Sequence, residues 1–508
     1  MGIISIIPIV LAIVLAIKTK KVIVSLFVSV FVGALLLHGF NVFASTQYII
    51  KDMFVQQLTD SYNAGVIVLM LFIGGFIELM MKSGGAYAFA KSTEKHFNTK
   101  NKVQFGAFFS GIMIFFSDLG TPLIVGPVFE PFFKKLKISK EKLAFILDST
   151  SSPVAVLVPF IGWGVFVIGL LEKEFSLLNL NYSAYQSFVS SIPFNLYSIL
   201  AITIIPVTLK LGFEFKSMKK YDISNQNEIA HHSVQKSEFQ VKNAKAYFVW
   251  LPILVLMGTL FGMLGIDFIL GKVAGSMFRT ALSSGYLYAS VVLISIMLLN
   301  KSKTFSEIFS IYIGGMSKMT EVIIILVLAW TLGSVGKALG TSDFLVEFMK
   351  NIQFNGAYLP LAVFLLGSVI SFAAGSSWGT FSILLPIVIP IAVVIDAPLF
   401  VTIGAVLSGG LFGDHVSPIS DTTILSSAGA QCDHLNHVDS QMSYAVFNSL
   451  IASIFFLVCG FNPNPILIWV GIVVQVLGII AIKHYYKIND KKEICNTFQE
   501  DSPEISTN

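Results

Sequence analysis

Long apolar runs separated by short polar joints fill this chain. Runs near 3–17, 22–40, 64–81, 142–171, 186–211, 247–265, 283–300, 320–339, 398–430, 441–461 and 466–484 predict helices, since a spanning helix needs roughly 20 apolar residues. Two more segments, 103–133 and 358–395, are long enough for two short apolar arms each. Their interruptions read almost alike: Ser117-Asp118-Leu119-Gly120-Thr121, then Pro127 and Pro131, and Ser376-Ser377-Trp378-Gly379-Thr380, then Pro386 and Pro390. Each is followed by an apolar segment broken by Ser-Pro, at Ser152-Pro153 and Ser417-Pro418. Polar, glycine-bearing breaks placed twice at membrane depth mark a transporter built from a duplicated unit.

Composition leaves little room for another class. The 508 residues are 55% hydrophobic and 12% charged, with mean hydropathy +0.79. A globular chain carries about a quarter charged residues. The chain is therefore read as an all-α polytopic membrane protein. The net charge of +4 sits in short loops, so it reports topology rather than nucleic-acid binding. Cys432, Cys459 and Cys495 are too few and scattered for a disulfide framework. No basic residue precedes the run from Ile3 to Ile17, which reads as a first span and not a cleaved signal. The polar tail after Lys487 is expected to be disordered.

Loop charge orients the segments. Lys18, Lys20 and Lys21 put the first loop inside and the N-terminus outside, and Lys483, Lys487, Lys491 and Lys492 put the C-terminus inside. Residues 41–63 read as an outer loop. Lysines crowd both ends of 103–133: Lys82, Lys91, Lys95, Lys100 and Lys102 before it, and Lys134, Lys135, Lys137, Lys140 and Lys142 after it. Two cytoplasmic ends imply a re-entrant hairpin instead of one kinked helix. By the same count 358–395 enters from outside, flanked by Asp343, Glu347 and Asp396. The chain then divides into a first helix and loop (1–21), unit one (22–211, hairpin 103–133, broken helix 142–171), a cytoplasmic loop and linker helix (212–282), unit two (283–461, hairpin 358–395, broken helix 398–430) and a last helix with tail (462–508). The two units are inverted repeats, each with a re-entrant hairpin and a broken transmembrane helix.

Charge within the membrane is expensive and therefore informative. The candidates are Glu78, Asp118, Glu130, Asp148, Asp414 and Asp421. Glu78 is expected to snorkel or pair with Lys82, and Glu130 to lie at the interface. A mid-helix proline frees a backbone carbonyl, hydroxyls add oxygens, and hard cations want such a shell. Hence a Na⁺ site is expected at each hairpin tip, closed by the broken helix of the same unit. Its candidate residues are Ser117, Asp118, Gly120, Thr121, Asp148, Ser149, Thr150, Ser151 and Ser152 in the first unit. In the second they are Ser376, Ser377, Gly379, Thr380, Asp414, Ser417, Ser420, Asp421, Thr422 and Thr423. Burial favours the protonated form of a carboxylate and a nearby cation the ionised form. One site can thus hold a proton or Na⁺, so Asp118, Asp148, Asp414, His415 and Asp421 are the proton-coupling candidates. Cys432-Asp433-His434-Leu435-Asn436-His437 looks metal-like but lacks a second cysteine, and no transition metal or other cofactor is expected. His231-His232 reads as solvated.

The run Gly409 to Gly429, with Gly413-Asp414-His415-Val416-Ser417-Pro418-Ile419-Ser420-Asp421-Thr422-Thr423 at its centre, resembles the signature of the NhaC-type Na⁺/H⁺ antiporter family. So do Ser377-Trp378-Gly379-Thr380 and the stretch from Ile138 to Thr150. The resemblance spans about residues 60–450 and implies a Na⁺-linked secondary transporter working by an elevator-like displacement of the hairpins. Many relatives carry an acidic pair followed by tyrosine at the first tip, where this chain has Ser117-Asp118-Leu119. The expectation is Na⁺/H⁺ antiport in the cell inner membrane. The alternative is Na⁺-coupled transport of an amino acid or organic acid. An intramembrane aspartyl protease fits poorly, since Phe412-Gly413-Asp414 does not complete its second motif, Gly-x-Gly-Asp. A channel fits less well than alternating access. By analogy a homodimer stays open.

Overall fold

The computed structural model describes residues 2–92, 98–224, 241–268, 275–341, 344, 347–348, 351 and 354–500. His231, His232 and Asp343 fall outside that set. Every regular element among the described residues is a helix, without strands. Among the described residues, ten helices are long and apolar enough to cross a membrane, or twelve if each of two bent pairs counts as one span.

Both interrupted segments are hairpins. The first has arms Lys100–Met113 and Gly120–Lys135. Its ends meet, for Lys100 Nζ donates to the Lys137 carbonyl at 3.1 Å. The second has arms Leu359–Ala374 and Ser377–Val394. Its ends also meet: a Cβ on Gly356 would lie 2.6 Å from the Ile395 carbonyl oxygen. A single kinked helix would carry its ends to opposite sides.

The Ser-Pro segments break as expected, because proline cannot continue the hydrogen-bond ladder. The first broken helix has halves Lys140–Ser149 and Gly162–Leu177, with a short turn Ser152–Ala155 between them. The second has halves Leu399–Val416 and Asp421–Ala430.

Four features differ from the sequence reading. The 41–63 segment is helical (Val42–Tyr48, Ile49–Val55, Gln56–Thr59) and folds back at 117° to Val22–Leu37. Its charges concealed a run of apolar residues that bury Ile49 and Met53. The span set at 320–339 has a helix before it, Phe305–Lys318, started by a reciprocal cap between Thr304 and Glu307. The 186–211 span bends by 47° at Pro193 and Asn195. The last helix, Leu467–Glu500, runs on into the tail expected to be disordered.

The packing crosses between the two halves of the chain. The first hairpin's return arm packs on the first half of its own broken helix and on the second half of the other one. The second hairpin does the converse, packing on Leu399–Val416 and on Gly162–Leu177. Glycine permits the closest of these approaches. A Cβ on Gly126 would lie 2.5 Å from the carbonyl of Gly429, and one on Gly429 only 2.2 Å from that of Pro122. Within a bilayer, helices associate through such close backbone contacts, because lipid tails are as apolar as leucine. Outside this crossed core, Ser61–Lys82 packs on Phe305–Lys318 through Gly74 and Gly315.

Candidate functional site

The repeated Ser-x-x-Gly-Thr is first of all a capping device. Ser117 Oγ accepts from the Gly120 amide at 2.9 Å, and Ser376 Oγ from the Gly379 amide at 3.2 Å. The Thr121 and Thr380 hydroxyls donate back to the Ser117 and Ser376 carbonyls. A serine oxygen satisfies an amide that the start of a helix leaves open. Each tip thereby turns the chain into its return arm.

The two tips meet in one cavity of about 330 Å³. This corrects the expectation of a separate site for each unit. Ser117 and Asp118 enter from the first tip, Ser376 and Ser377 from the second. Asp414, Ser420, Asp421 and Thr422 enter from the second helix break. Ser377 Oγ donates to Asp414 Oδ2 at 2.8 Å, so that carboxylate is oriented by the second tip. Asp421 is exposed to the cavity, whereas Asp414 is buried.

Several lining residues were not singled out as site members from sequence. Trp163 opens the second half of the first broken helix, and its Nε1–H donates to Asp118 Oδ2 at 3.1 Å. Its ring lies 4.8 Å from that of Trp378, which also meets Phe166 at 4.6 Å. This aromatic cluster forms one wall. Another wall is Ser61–Lys82 with the two helices between Phe305 and Ala338. There Glu78, expected to snorkel or pair with Lys82, pairs with Lys318 at 2.7 Å. Glu321 lines the same wall. The lining thus carries Glu78, Asp118, Glu321, Asp414 and Asp421 against Lys318, a field that concentrates cations.

The other predicted residues lie outside the lining. Gly120, Thr121, Gly379 and Thr380 shape the tips, and Gly379 makes room for Val22, whose side chain would sit 2.2 Å from a Cβ there. Ser417 Oγ donates to the Phe372 carbonyl and ties the break to the second hairpin. Asp148 is fully enclosed. It accepts from Thr423 at 3.1 Å, Gln441 at 2.8 Å and Ser426 at 3.4 Å, with His415 Nε2 at 3.7 Å and His437 Nε2 at 4.0 Å. Ser149 joins this network through His415, whose other nitrogen meets Tyr197 OH at 2.7 Å. Thr150 and Ser151 bond backbone carbonyls of their own turn, and Ser152 Oγ is buried without a hydrogen-bond partner among the described residues. Glu130, expected at the interface, is buried in the first hairpin.

Comparison with known proteins bears on this arrangement. The model of the Na⁺/H⁺ antiporter family matches residues 1–176 and 154–461. The chain belongs to the Na⁺/H⁺ antiporter family. An uncharacterized protein of Haemophilus influenzae is 29% identical over 502 residues, covering 94% of this chain and 95% of that one. The malate-2H⁺/Na⁺-lactate antiporter of Bacillus subtilis is 32% identical over 158 residues, 31% of this chain and 34% of that one. Among solved structures, the YdaH transporter of Alcanivorax borkumensis aligns with a TM-score of 0.58 at 13% identity, over 82% of this chain and 89% of that one. That likeness is one of fold. This member of the Na⁺/H⁺ antiporter family is a multi-span membrane protein and a secondary transporter.

Proposed function

We propose that this family member exchanges Na⁺ for protons by alternating access, at the cavity where its two hairpin tips meet. The carrying observation is the convergence of Asp118, Asp414 and Asp421 on that cavity. A carboxylate in a confined site binds a proton or Na⁺ but not both, and this competition couples the two fluxes. Ser117, Ser377, Ser420 and Thr422 add neutral oxygens of the kind a hard cation prefers. The lining reaches Glu78, Met81 and Lys318, at helix ends that the loop lysines assign to the inside. On that reading the structure is inward-facing, with the N-terminus outside and the C-terminus inside the cell inner membrane. The tryptophan cluster then seals the cavity from the outer side.

A second reading has one specific observation in its favour. About 330 Å³ far exceeds a dehydrated Na⁺ and falls within the range of small-molecule sites. A relative named as a malate-2H⁺/Na⁺-lactate antiporter carries organic solutes. On this reading Na⁺ drives a small amino acid or organic acid through the same cavity.

Proteoliposomes with an internal pH dye decide between them. External Na⁺ should alkalinise the lumen with no organic solute present. A silent pH signal, together with Na⁺-dependent uptake of a labelled amino acid or organic acid, would overturn Na⁺/H⁺ exchange.

A further inference from the structure

A second cavity, of about 300 Å³, lies away from the hairpin tips, between Gly162–Leu177, Thr320–Ala338 and the return arm of the second hairpin. Glu174 stands in its wall. The residue is only 3% exposed, and no donor among the described residues hydrogen-bonds its carboxylate. The charged groups nearest to it are Lys173 and Lys337. Lys337 Nζ, however, already donates to the Leu177 carbonyl at the end of the same helix. A buried carboxylate with no hydrogen-bond donor is costly, and Lys337 lines the same cavity, so what else faces it matters.

Two residues of its lining can supply neutral oxygens. Pro390 has no N–H to offer the Pro386 carbonyl one turn earlier, and both prolines line the cavity. Thr341 lines it too; its hydroxyl donates to the Ser5 carbonyl at 2.8 Å, which leaves its lone pairs able to accept. Gly333 lets the carboxylate lie against its helix, since a Cβ there would come within 2.6 Å of Glu174 Oε1.

We propose that Glu174, the Pro386 carbonyl and the Thr341 hydroxyl form a second Na⁺ site, separate from the tip cavity. An anionic carboxylate with neutral oxygens is the donor set a hard cation takes. Na⁺ there ties the second hairpin's return arm to the two helices beside it. By the loop charges this is the outer end of the hairpin. The site does not depend on the exchange reaction proposed for the tips.

Equilibrium binding of radiolabelled Na⁺ to the purified full-length protein tests it. The wild type should bind one Na⁺ more per chain than Glu174→Gln, and Asp421→Asn should still show the Glu174 component. Adding Glu174→Gln to Asp421→Asn should remove that component. Equal stoichiometry with and without Glu174→Gln overturns the proposal and leaves Lys337 as the counter-charge. Should Glu174→Gln fail to fold, Glu174→Asp serves instead. It is expected to weaken this component at least tenfold, and an unchanged affinity overturns the site. Loss of the tip component alone, in Asp421→Asn, bears on Na⁺/H⁺ exchange and not on Glu174.

Discussion

The indole N–H of Trp163 donates to the Asp118 carboxylate at 3.1 Å, so the first broken helix holds the first hairpin tip in place. The same indole packs on Trp378 of the second tip at 4.8 Å. One side chain therefore couples the orientation of an acidic cavity residue to the position of both tips. Trp163→Phe keeps most of the packing and removes the donor. A hydrogen bond to a charged group contributes about 1.5–3 kcal/mol. The half-saturating Na⁺ concentration in a proteoliposome flux assay should rise roughly tenfold, with a modest fall in melting temperature. A Na⁺ dependence like that of the wild type would remove Asp118 from the transport site.

Asp421 faces the cavity from the second helix break and is exposed there, unlike Asp414. Asp421→Asn keeps shape and polarity but removes the charge that Na⁺ needs. Transport should lose its Na⁺ dependence while size-exclusion behaviour stays normal. Unaltered Na⁺ affinity would exclude Asp421 from the site.

Asp148 behaves differently because it is enclosed by donors. Gln441 bridges it to the His415 carbonyl, and Thr423 and Ser426 complete its shell. Gln441→Ala leaves a buried carboxylate short of a donor, at a cost of about 1–3 kcal/mol. The melting temperature in detergent should fall by several degrees. An unchanged melting temperature would mean that Asp148 does not need this shell.

The contact between Gly126 and Gly429 joins the first hairpin to the second broken helix. Gly429→Val would drive side-chain atoms into the Pro122 carbonyl, only 2.2 Å from the position of a Cβ. Overpacking of this kind costs about 1–3 kcal/mol, and backbone on both sides leaves little room to yield. Expression as a monodisperse species should drop sharply. A neighbouring substitution on the exposed side, Ile424→Val, should leave it intact. Normal folding of Gly429→Val would show that the two helices can separate.

Much of this architecture was legible from local chemistry. Apolar run length marked most of the spans, since the bilayer sets one thickness for all of them. The repeated Ser-x-x-Gly-Thr and Ser-Pro marked the breaks, because proline and serine act on their own backbone within one turn. Lysine placement distinguished hairpins from kinked helices. Elements masked by mixed charge, such as 42–59 and Phe305–Lys318, were less visible, for their apolar faces show only against neighbours.

The sharing of the site was decided in three dimensions. Each hairpin packs on half of its own unit's broken helix and half of the other's, and no local pattern encodes that crossing. It brings both tips to one cavity and draws Asp148 away to Thr423 and Gln441. It also sets Trp163 against Asp118, although a tryptophan in an apolar run reads as ordinary packing. The sequence by itself determined where the chain breaks and which carboxylates lie at membrane depth. Which of those carboxylates face each other depends on contacts between distant segments, and only the tertiary structure decided it.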